Sequence, residues 1–598
     1  MLHIPKSGVT PKDEEGASTR VLIDPRLGDV EDDASSTKQR SLLRIAGSLL
    51  AEISLPKLAL AWALLVALPS ILLGLAPLIV SGWIAVLSSK IAGSLGGIWP
   101  LLLLMVVVAC GWCGGRPLLR AVEQAFWSLN ALVIQPGYAL CRESLRHVAE
   151  KLISLRAGVE QRNRLHAATA TGAGIILCAI ALWVVMLAWP ASRWIGGLAD
   201  LASPHRLIAP AIANAIVLLG SYLAAASLVW GIADATMDQP RDLGAFDRPP
   251  KGRTWRVAHL SDVHAVGERY GFRIESGRSG PRGNERLVRV LDRLEAIHAE
   301  QPLDLVLITG DITDAGRSAE WAEFLALLAS HPRLAQLTFM LPGNHDVNIV
   351  DRANPARLEL PTSPGRRLRQ MRALSAIAAV QGDKVRVIDP STGRIGDTLS
   401  SALASNREVI ATFANVGTLR LSAGLGRLWA DMFPMVLPPD TEDGLGVVLL
   451  NSAAETHFSF TNALGLIPAQ QARGLAAAVA QFPNARWIVA LHHHLVEYPK
   501  PAAAFSERIG TALVNGSWFV RQLWQLGDKV VTMHGHRHID WIGECGRLRI
   551  VSAPSAVMEA TEDNATCFYI HTLAAGPEYR LCLLPPQRVN IPGIKARV

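Results

Sequence analysis

The sequence predicts two unlike halves, a helical membrane region followed by an α/β domain, and three observations carry that division. Long uncharged runs such as LALAWALLVALPSILLGLAPLIV lie before residue 232. After residue 250, short β-branched or apolar runs alternate with helical patterns, as in an α/β domain. Polar motifs recur at the ends of those short runs, where ligands gather in open α/β sheets. At 598 residues the chain exceeds an ordinary domain, and roughly 150 residues per domain would give about four units. The uneven spread of apolar residues makes one membrane half and one soluble half the simpler division.

Residues 1–40 mix Gly, Ser, Pro and both charge signs without apolar periodicity and read as a flexible polar tail. Residues 41–232 read as the membrane region. A helix needs about 20 apolar residues to cross roughly 30 Å of hydrocarbon. Four stretches qualify, at about 58–86, 98–114, 172–190 and 207–230. No A-x-A cleavage site follows the first, so it is expected to remain as a span. Lys38, Arg40, Arg44 and Lys57 precede that span, and Arg116, Arg120, Arg142, Arg146, Lys151, Arg156, Arg162 and Arg164 lie between the second and third. The other loops carry only Lys90, Arg193 and Arg206. Basic loops face the cytoplasm, and an even number of spans leaves the C-terminal half there too. The expectation is therefore a multi-pass protein of the cell (inner) membrane. Between the spans, residues 121–165 mix Leu, Ala and Val with Arg and Glu at helical spacing, as in an amphipathic helix or helical hairpin.

Residues 233–252 turn to charged, proline-containing sequence and read as a linker to a soluble domain over 253–598. The net charge of +7 is accounted for by basic residues flanking spans and calls for no nucleic-acid partner. Seven cysteines form no framework, as suits a reducing compartment. Cys110 and Cys113 spell C-x-x-C, but in an apolar stretch without a neighbouring strand pattern.

Six runs in the soluble half read as strands: WRVAHLS, LDLVLITG, LTFMLPG, GVVLLNS, RWIVALH and KVVTMHG. The first ends in Ser261-Asp262-Val263-His264, the second in Gly310-Asp311-Ile312-Thr313-Asp314 and the third in Gly343-Asn344-His345-Asp346. The fifth ends in His492-His493-His494 and the sixth in Gly535-His536-Arg537-His538. A carboxylate and an imidazole at one strand end suit a hard or borderline cation. The Asn carbonyl oxygen suits a divalent ion and adds no negative charge where phosphate must enter. A lone Asp or His after a strand is ordinarily a turn cap. Five such motifs in order, supplying Asp, His and Asn and no Cys, read as a metal site.

In that order, D-x-H, G-D, G-N-H-D, H and G-H-x-H, the sequence resembles the calcineurin-like metallophosphoesterase superfamily over roughly 254–558. The resemblance implies an α/β (α+β four-layer) sandwich holding two divalent ions such as Mn, Fe or Zn. Asp311 would bridge them, with Asp262, His264 and His538 on one ion and Asn344, His492 and His536 on the other. His493 is the alternative to His492, because successive strand residues face opposite ways. His345 would stand beside the leaving group as proton donor, with Asp346 orienting its imidazole. Asp314 would orient a ligating histidine or cap the next helix. His494 and His534 read as structural. The LHHHL segment looks like the class that includes cyclic-nucleotide and glycerophosphodiester phosphodiesterases, with Leu495 where that class carries proline.

The implied reaction is hydrolysis of a phosphodiester or phosphomonoester, from a small molecule or a lipid headgroup, by hydroxide held between the two ions. An insertion at about 350–440 is expected to cap the site, with Arg366, Arg367, Arg369 and Arg372 solvated or meeting substrate phosphates or anionic lipid. The alternative is a catalytically silent sensing or scaffold module, against which the complete ligand set argues. Transport through the spans would need ionisable residues that they nearly lack.

Overall fold

The computed structural model describes residues 59–92 (without 61), 105, 135–152, 159–197 and 204–593, the last stretch without 269–270, 275–280, 352–356, 360–362, 390–391, 500–510, 512 and 559–563. Four long helices come first: α1 (Leu68–Ala92), α2 (Gln135–Leu152), α3 (Val159–Ala188) and α4 (Ile208–Ala235). Among the described residues, three helical segments are long and apolar enough to cross a membrane: Leu68–Ala85, Asn163–Ala191 and His205–Ala235. They correspond to the first, third and fourth expected spans. The expected span at 98–114 (apart from Met105), the tail and the C-x-x-C pair lie outside the described residues.

Large apolar side chains on these helices point outward, among them Leu72, Trp83, Trp183, Met186 and Val229, each more than half exposed. Leaving such a side chain in water forfeits roughly 1.5–3 kcal/mol of burial, so this surface suits hydrocarbon. Polar groups turn inward. Asn214, inaccessible in α4, donates through Nδ2 to the Gly74 and Arg193 carbonyls at 3.0 and 2.6 Å and accepts from the Arg193 amide at 2.9 Å. The Asp234 carboxylate accepts from Tyr138 at 3.0 Å, from Arg142, and from Ser517 of the C-terminal half.

Residues beyond 240 build two sheets. The nine-stranded one runs β1-β11-β12-β10-β9-β8-β7-β5-β6. Its strands are β1 (Arg241–Asp242), β5 (Arg386–Ile388), β6 (Ile395–Thr398), β7 (Met435–Leu437), β8 (Leu445–Leu449), β9 (Arg486–Ala490), β10 (Val530–His534), β11 (Trp541–Cys545) and β12 (Leu548–Ser552). The six-stranded one runs β14-β13-β2-β3-β4, with β15 also on β13. Its strands are β2 (Thr254–Leu260), β3 (Leu305–Ile308), β4 (Thr338–Met340), β13 (Thr566–Ala575), β14 (Leu581–Leu583) and β15 (Gln587–Ile591). The six runs read from sequence are β2, β3, β4, β8, β9 and β10. Their neighbours β2-β3-β4 and β8-β9-β10 pair in parallel, and strands buried on both faces read as continuous apolar runs.

The sheets face each other across one core, to which Leu307 and Met340 contribute from one side and Ile488, Met533 and Val551 from the other. Helices cover the outside. On the far face of the nine-stranded sheet, Leu475 and Ala478 of helix Ala469–Gln481 and Phe519 and Leu523 of helix Gly516–Trp524 pack over Val448, Trp487 and Val489. This face-to-face packing brings the carboxyl ends of β2, β3 and β4 next to those of β9 and β10.

Two expectations change. The 350–440 insertion is not a cap: β7, β5 and β6 extend the nine-stranded sheet, and helix Pro364–Gln381 puts Met371, Leu374 and Ile377 into the core beside Trp429. Its arginines are not a solvated face. Arg366 is 1% exposed and pairs with Glu359 at 3.5 Å, Arg367 pairs with Glu455 at 3.1 Å, and Arg369 pairs with Glu359 and donates to the Val347 carbonyl at 3.1 Å. The segment read as a linker is likewise bound to the domain. β1 pairs with β11, and Asp247 takes Arg549 and Arg580 as partners.

Candidate metal centre

The turns after β2 and β3 are laced together by backbone bonds, Asp262 N to Gly310 O at 3.1 Å and His264 N to Asp311 O at 2.9 Å. That lacing forces left-handed backbone on residues carrying Cβ atoms. Among the described residues, seven other than glycine have positive φ, and five of them are Asp262, His264, Asp311, His536 and His538. Such conformations cost about 1–3 kcal/mol each and cluster at functional sites. Glycine serves where the backbone must come closest: a Cβ on Gly343 would stand 2.1 Å from Asp311 Oδ1.

Among the described residues the donors converge in three adjoining groups, Asp262–His264–His538, Asp311–His492–His536 and His264–Asp314–His345, each with ligand atoms within 4.8 Å of one another. His538 Nε2 lies 3.2 Å from Asp262 Oδ1, and His264 Nε2 lies 3.8 Å from Asp311 Oδ2, which links the groups. His492 Nδ1 donates to the Thr309 carbonyl at 2.8 Å, which turns Nε2 inward. That nitrogen sits 3.1 Å from Asp311 Oδ2, 3.2 Å from Asn344 Oδ1 and 3.1 Å from His536 Nδ1. Of the two alternatives, His492 thus faces the cluster, while His493 Nδ1 meets Ser452 Oγ at 2.8 Å. His494 stacks between Tyr498 and His536, and His534 Nδ1 meets the Gly535 carbonyl.

This donor set fits divalent cations. His536 Nε2 is held by the Thr511 carbonyl at 3.2 Å, so neutral His492 and His536 would aim lone pairs at each other across 3.1 Å. A positive charge between them relieves that clash. Asp262 Oδ1 and both ring nitrogens of His264 are buried without a hydrogen bond, a costly state for groups with no other partner. Burial alone would raise the Asp311 carboxyl, but the imidazoles of His492 and His345 hold it far below the carboxylate range. Burial alone would lower His492, yet Asp311 pushes it up to about 9. The Asp262 carboxyl, raised by burial and lowered more strongly by His538, lies at about 2. The carboxylates therefore draw positive charge into the cluster.

The segment 256–431, which contains the first three motifs, matches the family described as Calcineurin-like phosphoesterase. The chain carries a calcineurin-like phosphoesterase domain. Similar solved structures include a dimetal phosphatase from Danio rerio, 12% identical over 57% of this chain and 99% of that one, with TM-score 0.33. Others are a putative 5'-nucleotidase from Staphylococcus aureus (11% identity, 58% and 56% covered, TM-score 0.31) and a purple acid phosphatase from yellow lupin, Lupinus luteus (13%, 55% and 51%, 0.24). The chain spans little more than half the length of these last two. No curated protein matches the sequence.

One role in the phosphoesterase domain differs from the sequence reading. The Asp346 carboxylate accepts from the amides of Ile312, Thr313 and Gly343 and from the Thr313 hydroxyl, so it clamps the turns rather than orienting His345. The imidazole is set by the Asp314 carbonyl, which accepts from His345 Nδ1 at 2.7 Å. Of the two roles open for Asp314, capping falls to Glu320; Asp314 Oδ1 lies 3.3 Å from His264 Nδ1 without a hydrogen bond, and its Oδ2 accepts from the Ile274 amide at 2.8 Å. The orienting carbonyls of Thr309, Asp314 and Thr511 were not foreseen, since a backbone oxygen has no signature in sequence.

Proposed function

We propose that the protein is a membrane-anchored, divalent-metal-dependent phosphoesterase acting on a phosphodiester or phosphomonoester, with its catalytic half in the cytoplasm. The observation that carries this reading is the convergence of turns from both sheets into two donor groups joined through Asp311. Asp262, His264 and His538 would hold one ion and Asn344, His492 and His536 a second, with Asp311 shared. When bound, divalent ions supply activated water and stabilise charge developing on the phosphoryl oxygens. The three apolar segments support anchoring, and the basic residues before α3 support the orientation.

The chain's own groups do the rest. His345 donates from Nδ1 to the Asp314 carbonyl, so only its doubly protonated, cationic form carries a second proton, on Nε2, to give to the departing oxygen, and the ring is left neutral. Its amide donates to Asp311 Oδ1 at 2.8 Å, tying the position of the acid to that of the shared carboxylate. Asp346 fixes the turns that carry both, and Arg369 braces the Val347 carbonyl behind them.

The test uses purified full-length protein in detergent with Mn²⁺, on bis(p-nitrophenyl) phosphate and p-nitrophenyl phosphate. Turnover is expected, abolished by chelation. An Asp311→Ala, Asn344→Ala double variant should lose roughly 10³-fold, about 4 kcal/mol of transition-state stabilisation. Equal turnover by wild type and the double variant would remove the reading.

A further inference from the structure

The loop after ligand strand β9 does more than close the metal centre. Residues 494–499, with 513, 514, 516 and 517, form one wall of a cavity of about 180 Å³. The opposite wall belongs to the helical region and includes Arg142 and Arg146 of α2, Asn163 and His166 of α3, and Trp230 of α4. One water needs only about 10–15 Å³ of such space, so the cavity is sized for a polar guest of many atoms.

Its position is informative. Asn163 and His166 open the apolar segment Asn163–Ala191, and Trp230 lies near the end of His205–Ala235. The cavity therefore sits at the level where both segments end. Val229 and Ile232, on either side of Trp230, are 65% and 60% exposed, so apolar surface runs up to the rim. In a bilayer this is the interfacial zone, where tryptophan concentrates. On the catalytic side, His494 lines the cavity while its ring stacks on that of His536 with centroids 5.9 Å apart. One imidazole separates a guest from the candidate metal ligands.

The polar lining is uneven. Arg142 is taken up by Asp234 and Glu143. Arg146 gives Nη1 to Glu143 at 3.2 Å, but its Nε is buried without a hydrogen bond, and burial pushes the guanidinium pKa down. A buried donor in that state is satisfied by an anionic oxygen, and a guanidinium suits phosphate geometry.

We propose that this cavity binds the phosphate-ester headgroup of a membrane lipid, beside the metal centre, so that the phosphoesterase draws its substrate from the bilayer. The lipid source of the substrate rests on the phosphoesterase reading; the binding site does not. The probe is phosphatidylglycerol carrying a photoreactive diazirine in its headgroup, presented in nanodiscs to metal-free full-length protein and mapped by peptide mass spectrometry. Adducts are expected on 138–146, 494–499 or 513–517, suppressed by excess phosphatidylglycerol and not by its deacylated headgroup, glycerophosphoglycerol. Arg146→Gln should cut labelling about tenfold, the loss of one charge-assisted hydrogen bond. Val496→Trp, which fills the cavity from the catalytic side, should do the same.

Adducts confined to other segments, or labelling unchanged in both variants, would overturn the proposal. Equal suppression by glycerophosphoglycerol would assign the cavity to a soluble phosphodiester and overturn the lipid source. With Mn²⁺ restored, both variants should lose more turnover on phosphatidylglycerol than on bis(p-nitrophenyl) phosphate, and equal loss on both overturns the proposal. Failure of wild type on bis(p-nitrophenyl) phosphate defeats the functional reading instead, while the metal-free labelling still decides the cavity.

Discussion

The helical region and the phosphoesterase domain both bury polar side chains, but they treat them differently. In the helical region Asn214 and Asp234 are answered, and Arg146 Nε, at the cavity, is the exception. Asn214 has backbone partners for both Nδ2 and Oδ1, and the Asp234 carboxylate receives three donors. At the ends of β2, β3, β9 and β10 the opposite holds. Asp262 Oδ1 and both nitrogens of His264 have no hydrogen bond, and His492 and His536 turn nitrogens toward each other. An answered buried polar group fastens one part of the chain to another. A set of electron-rich donors held by strained backbone, some of them without a hydrogen bond, is built for a cation.

Three substitutions test that contrast, in falling order of expected effect. His345→Gln removes the proton donor while sparing the donor groups, so phosphoester turnover should drop about 10²–10⁴-fold with metal content intact. Loss of metal with it would move His345 into the ligand set. Asn214→Ala removes an answered polar group, so the helical region should unfold in SDS titration with about 0.6–2 kcal/mol less resistance. Turnover should not follow; a matching loss of activity would break the separation between fastening and catalytic polar groups.

Asp247→Asn has the smallest effect. Burial would raise the Asp247 carboxyl, but Arg549 and the Leu583 amide outweigh it and lower its pKa. A carboxyl lowered on folding contributes stability that is full above its unfolded value of about 3.9 and fades as pH falls below that. Wild type should exceed the variant by up to about 1 kcal/mol near neutrality, with the gap closing in acid. A gap that widens in acid would reverse the sign of this pair.

Legibility in sequence followed the same physics. The parallel strands β2, β3, β4, β8, β9 and β10 were readable because burial on both faces leaves continuous apolar runs, and the motifs at their ends gave the candidate ligands. The short strands β1, β5 and β6 were not, because two to four residues carry no period. Charge also misled. The 241–247 segment looked like a linker because the Asp247 partners Arg549 and Arg580 lie far along the chain. The Arg366–Arg372 run looked like a solvated helix face although Glu359 lies close in sequence to Arg366 and Arg369, with Glu455, the partner of Arg367, far along it. Asp346 was recognised as important but given the wrong task, since the amides it clamps are invisible in a sequence.

The central claim is that the converging donors form a two-ion site joined through Asp311. Its most direct test is metal content by inductively coupled plasma mass spectrometry on full-length protein supplied with Mn²⁺ or Zn²⁺ and then freed of loose ions. Two divalent ions per wild-type chain are predicted, with fewer in Asp311→Asn at unchanged circular dichroism. A wild-type chain that retains no metal, or an Asp311→Asn chain that retains as much as wild type, would contradict it.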